Sequence, residues 1–199
     1  MLILASTSLY RKQLLEKLNI PFICIPPQVS EAPHANEPPN ELAMRLSVEK
    51  ALAVENKHPG SLIIGSDQVA YLSGTGILSK PGNFEAAKKQ LLACSGKSVV
   101  FYTGLCLVDT RNRSQEVILD TFEVRFRTLT EAVIEKYLKI DEPFQCAGSF
   151  KVEAMGIRLF ESLSGGDPNS LMGLPLISLC DLLLRVGVDP LDYPPPQNY

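Results

Sequence analysis

Short apolar runs closed off by polar turns alternate along this chain with stretches of helical spacing. That alternation narrows the fold to the α/β class with a mixed sheet. Residues 2–5, 22–25 and 62–65 read as strands. Between them, Thr7 or Ser8 can cap a helix over 9–18 whose buried stripe is Leu14, Leu15 and Leu18, and Pro38-Pro39 suits the first turn of a helix running to about Lys57. Asn83 can cap a helix over 84–93, and the β-branched runs 98–109 and 115–127 read as an antiparallel pair. Thr130 opens a helix to about Ile140, 157–160 reads as a strand, Gly165-Gly166-Asp167-Pro168 turns into a short helix, and 176–185 is the last amphipathic helix. Ser95-Gly96-Lys97-Ser98 looks like the end of a P-loop, but Leu91 stands where that motif needs glycine, so the segment reads as a helix-to-strand turn.

At 199 residues the chain can bury a sizeable core, either as one large domain or as two lobes sharing one. Its 45% hydrophobic and 21% charged content excludes wholesale disorder. A net charge of −3 offers no surplus of cations for a run of phosphates, which argues against bulk nucleic-acid binding but leaves room for a local basic pocket. Cys24, Cys94, Cys106, Cys146 and Cys180 are odd in number and lack metal or redox spacing, so they read as reduced thiols mostly inside apolar runs. No run approaches the length of a membrane span, and the start of the chain lacks a signal-peptide pattern. The expectation is a soluble cytoplasmic protein, with Pro194-Pro195-Pro196 in an extended tail over 191–199.

Several positions stand out chemically. Residues 26–39 hold five prolines together with Glu31, His34 and Glu37 and almost nothing to bury, which suits a functional loop better than a connector. Lys50 falls on the apolar stripe of Leu42, Ala43, Leu46 and Ala53; it is either a snorkelling stem or an ammonium held for a phosphate or carboxylate. Asp67 follows the run Leu62-Ile63-Ile64-Gly65 at what reads as a strand end, where it can cap a turn or face a ligand. Ser6-Thr7-Ser8-Leu9-Tyr10-Arg11-Lys12 sets hydroxyls, free amide groups and two cations at a helix start, a place that attracts anions and also one that simply needs capping.

Taken in order over residues 1–190, Ala5-Ser6-Thr7-Ser8 with Arg11, Glu31, Lys50, Gly65-Ser66-Asp67-Gln68, Lys80-Pro81, Ser95-Gly96, Tyr102-Thr103-Gly104, Ala147-Gly148-Ser149-Phe150 and Gly173-Leu174-Pro175-Leu176 resemble the Maf family of nucleotide pyrophosphatases. The resemblance implies a two-lobed, inosine triphosphatase-like mixed α/β fold with a central cleft, usually as a homodimer. It also implies hydrolysis of a nucleoside triphosphate to the monophosphate and diphosphate with a divalent metal, Mg²⁺, Mn²⁺ or Co²⁺. By the same resemblance Asp67 accepts a proton from water, Glu31 and Asp67 hold the metal, Lys50 and Lys80 complete the catalytic set, and Ser6, Ser8 and Arg11 bind phosphate. Tyr10, Gln68 and Glu153 look like the trio of the branch that hydrolyses 7-methyl-GTP. An aromatic face suits a cationic methylated guanine, and a carboxylate can accept from its N1–H and amino group. The alternatives are a dTTP or UTP pyrophosphatase of the same family and a non-catalytic nucleotide-binding regulator of cell division.

Overall fold

A computed structural model describes residues 1–194. Its strands are β1 (Leu2–Leu4), β2 (Phe22–Cys24), β3 (Leu62–Leu72), β4 (Gly76–Leu78), β5 (Ser98–Asp109), β6 (Ser114–Phe126) and β7 (Phe160–Gly165). Its helices are α1 (Leu9–Glu16), α2 (Pro39–Glu55), α3 (Phe84–Cys94), α4 (Glu131–Asp141) and α5 (Leu176–Arg185). Hydrogen bonding orders the strands β2-β1-β3-β5-β6-β7, with β4 paired to β3. β1 runs parallel to both β2 and β3, while β3–β4 and β6–β7 are antiparallel. The sheet is therefore mixed, as expected.

The chain divides into two compact units. Among the described residues, one holds 1–68, 103–120 and 167–194, the other 69–102 and 121–166. In the first, the two faces of the strands bury different partners. Leu62, Ile64, Leu105 and Leu107 pack with Leu14 and Leu15 of α1 and Leu176, Leu179, Leu182 and Leu183 of α5, while Ile63, Cys106 and Val108 pack with Ala51 and Val54 of α2. The period-two alternation of a strand produces this split. In the second unit, Phe101, Phe126, Phe150 and Phe160 meet edge to face, with neighbouring ring centroids 4.8–5.8 Å apart.

Local signals placed most helices closely. Ser8, Asn83 and Thr130 cap α1, α3 and α4 through their side chains, and Pro39 occupies the first turn of α2. Ser95-Gly96 links α3 to β5, as the turn reading required. Other expectations need correction. β3 does not stop at Gly65 but runs on through Asp67 to Leu72, because Ser66, Asp67 and Gln68 each find polar partners on their own face of the strand. Residues 155–159 form a 3-10 turn, not a strand, and β7 begins only at Phe160. Gly156 lies against the Lys151 backbone too closely for a side chain, which coils this stretch. Ala53 is exposed and off the stripe, and Cys24 is exposed on β2, whereas Cys94 and Cys106 are buried. A short 3-10 turn, Pro190–Asp192, runs across the expected start of the tail at residue 191; residues 195–199 lie outside the described residues.

Candidate active site

On β3 the alternation that sorts the core also sorts the chemistry. Gly65 and Asp67 continue the face of Ile63 toward α2, and Ser66 and Gln68 continue the face of Ile64. α2 approaches the sheet closely because two glycines admit it. A Cβ at Gly65 would overlap the Ser47 carbonyl oxygen, and one at Gly104 would overlap that of Ala43. This approach brings Lys50, buried on α2, to Asp67. Its Nζ donates to Asp67 Oδ1 at 2.6 Å and lies 2.5 Å from Glu31 Oε1. Lys50 and Asp67 are only 4% and 8% exposed, and buried charges of this kind persist only when paired. The ammonium reading of Lys50 is thus the realised one, and three of the predicted site residues meet at a single nitrogen.

Glu31 reaches this point from a segment, residues 26–38, that has neither helix nor strand. The segment is tied down by Arg45 of α2, a residue without an obvious role in the sequence. Arg45 Nε and Nη2 donate to the two carboxylate oxygens of Glu37 at 2.6 and 2.8 Å, Nη2 also donates to the Ala32 carbonyl at 3.1 Å, and Nη1 donates to Glu49 at 3.0 and 3.1 Å. Glu37 Oε2 further accepts the His34 N–H at 2.9 Å. The Arg45 fork holds the Glu37 carboxyl down at about 2, so the pair is charged throughout the neutral range. An acid eight residues before the arginine and another four after it were the available sequence signal.

The serines at the start of α1 serve the backbone. Ser8 Oγ accepts the Arg11 N–H at 3.4 Å and so caps α1, while Ser6 Oγ accepts the Ser8 N–H at 3.0 Å in the turn that leads into it. Tyr10 is half-buried beside Arg11 in the chain. Arg11 Nε donates to the Gly173 carbonyl at 2.7 Å. Burial lowers the Arg11 pKa, and the negative charges of Asp67 and Glu31 oppose that shift, so the guanidinium lies in the field of both acids.

Gly173 belongs to a loop that organises the other face of β3. Ser66 Oγ lies 2.8 Å from the carbonyl oxygens of Gly173 and Gly104. Gln68 Nε2 donates to the Ser170 carbonyl at 2.5 Å and to Thr103 Oγ1 at 3.2 Å. Gly173 has φ +93°, and a Cβ there would stand 3.2 Å from Arg11 Nε, so glycine meets both demands. Asp167, 1% exposed, builds the loop: Oδ1 accepts from the Asn169 backbone N–H and side-chain amide at 2.8 and 2.7 Å, and Oδ2 accepts the Ile177 N–H at 2.8 Å. An Asp before Pro-Asn at a helix start is a capping signal whose consequence for Gln68 and Arg11 is not visible in sequence. Asp167→Ala strands these donors and is expected to cost about 3 kcal/mol, measured by urea unfolding.

Lys80 and Glu153 lie in the second unit. Lys80 is exposed after β4, next to a turn held by the Gly82 N–H donating to the Phe144 carbonyl at 2.8 Å. Glu153 is exposed in a turn anchored at Lys151, whose N–H donates to Tyr137 Oη at 3.0 Å and whose Nζ donates to the Asp141 carbonyl at 2.6 Å.

Among the described residues no three His, Cys, Asp or Glu side chains converge on one point. Glu31 and Asp67 nonetheless approach the same nitrogen, so two hard carboxylates are close neighbours. That donor set fits Mg²⁺ or Mn²⁺, which bind through one or two carboxylates and complete their shell with phosphate oxygens and water; it does not fit a closed zinc cage.

The architecture is shared with two solved structures, the Ham1 protein of Staphylococcus aureus and a HAM1 protein from Coxiella burnetii. Each has a TM-score of 0.51; identities are 13% and 16%, with 93% and 92% of this chain and 98% of each of theirs covered. At that identity the likeness bears on the fold alone, and it bears out the expected class. The Maf-like protein family matches residues 1–186, and the chain belongs to that family. Relatives named 7-methyl-GTP pyrophosphatase include one from Vibrio parahaemolyticus, 54% identical over 94% of this chain and 96% of its own, and one from Alcanivorax borkumensis, 52% identical over 94% of each. A third, from Pseudoalteromonas atlantica, is 53% identical over 96% of this chain and 98% of its own. No described helix is long and apolar enough to cross a membrane.

Proposed function

We propose that this protein hydrolyses 7-methyl-GTP to 7-methyl-GMP and diphosphate. The observation that carries the reading is the meeting of Glu31 and Asp67 at the buried Lys50 ammonium, on a chain more than half identical to relatives bearing that activity as their name. Splitting the bond between the α-phosphate and the diphosphate needs a water made nucleophilic and the phosphate charge offset. Asp67 accepts the water proton, the water oxygen bonds to the α-phosphorus, and the bridging oxygen leaves with diphosphate. Lys50 and Arg11 offset charge on the phosphates and hold them in line, Lys80 adds a third cation, and Ser6 and Ser8 present the start of α1 to phosphate oxygens. Glu31 and Asp67 would hold a divalent cation, Mg²⁺, Mn²⁺ or Co²⁺, which when bound supplies Lewis-acid stabilisation of the phosphate oxygens.

For the base, Tyr10 provides a ring face to the cationic methylguanine, worth about 0.5 to 2 kcal/mol. Glu153 accepts from N1–H and the amino group, and Gln68 adjoins Asp67 on the strand. The same proposal includes a cytoplasmic homodimer, resting on the family resemblance alone and tested by solution mass.

The deciding experiment is diphosphate release from a panel of 7-methyl-GTP, GTP, dTTP and UTP with each metal. Brisk cleavage of the pyrimidine nucleotides with none of 7-methyl-GTP would overturn the substrate, and no release from any nucleotide would leave a binding protein. Glu153→Gln is expected to lower the preference for 7-methyl-GTP over UTP by about tenfold, the scale of one hydrogen-bonding contact, while changing triphosphate turnover less. Competition kinetics on mixed substrates reads that ratio.

A further inference from the structure

Glu31 is 60% exposed at its side chain and stands on a segment with no backbone ladder, while its partner Lys50 is almost wholly buried on a helix. Ordering such a segment costs backbone entropy at every residue, so something must hold it. The holding contacts converge on one side chain. Arg45 grips both oxygens of Glu37 on the far part of the loop and the carbonyl of Ala32, the residue directly after Glu31. Glu49, one turn along α2, fixes the guanidinium from behind. The Arg45 and Glu37 side chains are 19% and 8% exposed, so this is not a solvated surface pair of negligible worth. The planar fork can satisfy a carboxylate in two places and a carbonyl at once, which an ammonium cannot.

We propose that Arg45 is the positioning residue for Glu31: by clamping Glu37 and the Ala32 carbonyl to α2, it holds the Glu31 carboxylate where Lys50 and Asp67 meet. The Arg45 guanidinium donates to Glu37, Glu49 and the Ala32 carbonyl, and it acts on the site through the loop they hold. The inference rests on the reading above, in which Glu31 acts in phosphoanhydride hydrolysis.

The test is a double-mutant cycle on diphosphate release from 7-methyl-GTP, with Arg45→Ala, Arg45→Lys, Glu37→Gln, Glu31→Gln and the double variant Glu31→Gln/Arg45→Ala. Glu31→Gln is expected to lower kcat/KM about 100-fold or more, the usual scale for a charged group at the reacting centre. Arg45→Ala should lower it about 10- to 100-fold, the scale of a misplacement near 1 Å, with Arg45→Lys recovering only part. Glu37→Gln, nearly isosteric, should move in the same direction by less and covers the case in which Arg45→Ala folds poorly. Because Arg45 acts through Glu31, adding Arg45→Ala to Glu31→Gln should cost no more than twofold. Hydrogen-exchange protection across residues 26–38 should fall in Arg45→Ala. Losses that multiply in the double variant, or wild-type turnover in Arg45→Ala, overturn the proposal. Full turnover in Glu31→Gln alone overturns the role of Glu31 beneath it, and that failure is distinguishable because the exchange comparison still reports whether Arg45 orders the loop.

Discussion

Asp67→Asn is expected to lower kcat on a nucleoside triphosphate by about 100- to 10,000-fold, the range typical of a removed general base, while leaving nucleotide binding within a few-fold. The asymmetry follows from the geometry. Asparagine keeps the shape of aspartate and keeps an oxygen for the Lys50 Nζ, now 2.6 Å away, so α2 and β3 have no reason to part. What disappears is the second negative charge beside Glu31 and the group able to take a proton from water. Single-turnover diphosphate release reports the chemical step, and equilibrium titration of a non-hydrolysable nucleotide reports binding. Near-normal release in Asp67→Asn would take the proton-acceptor role away from Asp67 and leave it as a partner of Lys50.

Gly65→Ala is expected to destabilise the fold strongly through a single added methyl group. The new Cβ would overlap the Ser47 carbonyl and lie 2.8 Å from the Ala51 amide nitrogen, and both are backbone atoms of a helix that cannot turn aside as a side chain can. Overpacking of this kind costs about 3 kcal/mol, and for a chain of this size that lowers Tm by roughly 6 to 12 °C. Ser47 and Ala51 flank Lys50 on α2, so relief by moving the helix draws the ammonium off Asp67 and lowers turnover as well. Thermal unfolding followed by circular dichroism measures the first effect. A Tm within about 2 °C of the parent would mean that α2 does not bear on β3 at this point.

How far the fold and site were legible depends on the range of the interactions involved. α5 was found at its actual limits and α4 with its Thr130 cap, because helical periodicity and capping are written within a few residues of one another. Lys50 could be singled out for the same reason, since a cation on an apolar stripe is a local contradiction. Asp67 was singled out at a strand end, whereas it lies inside β3 and pairs with Lys50. Ser66-Asp67-Gln68 has the polarity of a turn, and only distant partners make it the interior of a strand: Gly173 lies 107 residues from Ser66, and Ser170 lies 102 from Gln68. The clamp by Arg45 was missed because Arg45 and Glu37 each look like ordinary surface charges until the proline-rich loop is folded back on α2.

The order of residues alone determined the alternation of helices and strands, the inventory of charged groups and the membership in the Maf-like family, since all three depend on spacing along the chain. Tertiary structure alone decided that Asp67 and Gln68, neighbours in sequence, work on opposite faces of one strand, one toward Lys50 and the other toward the loop built by Asp167. The pleat sends adjacent side chains to opposite sides, and which group waits on each side is set by packing between segments far apart in the chain.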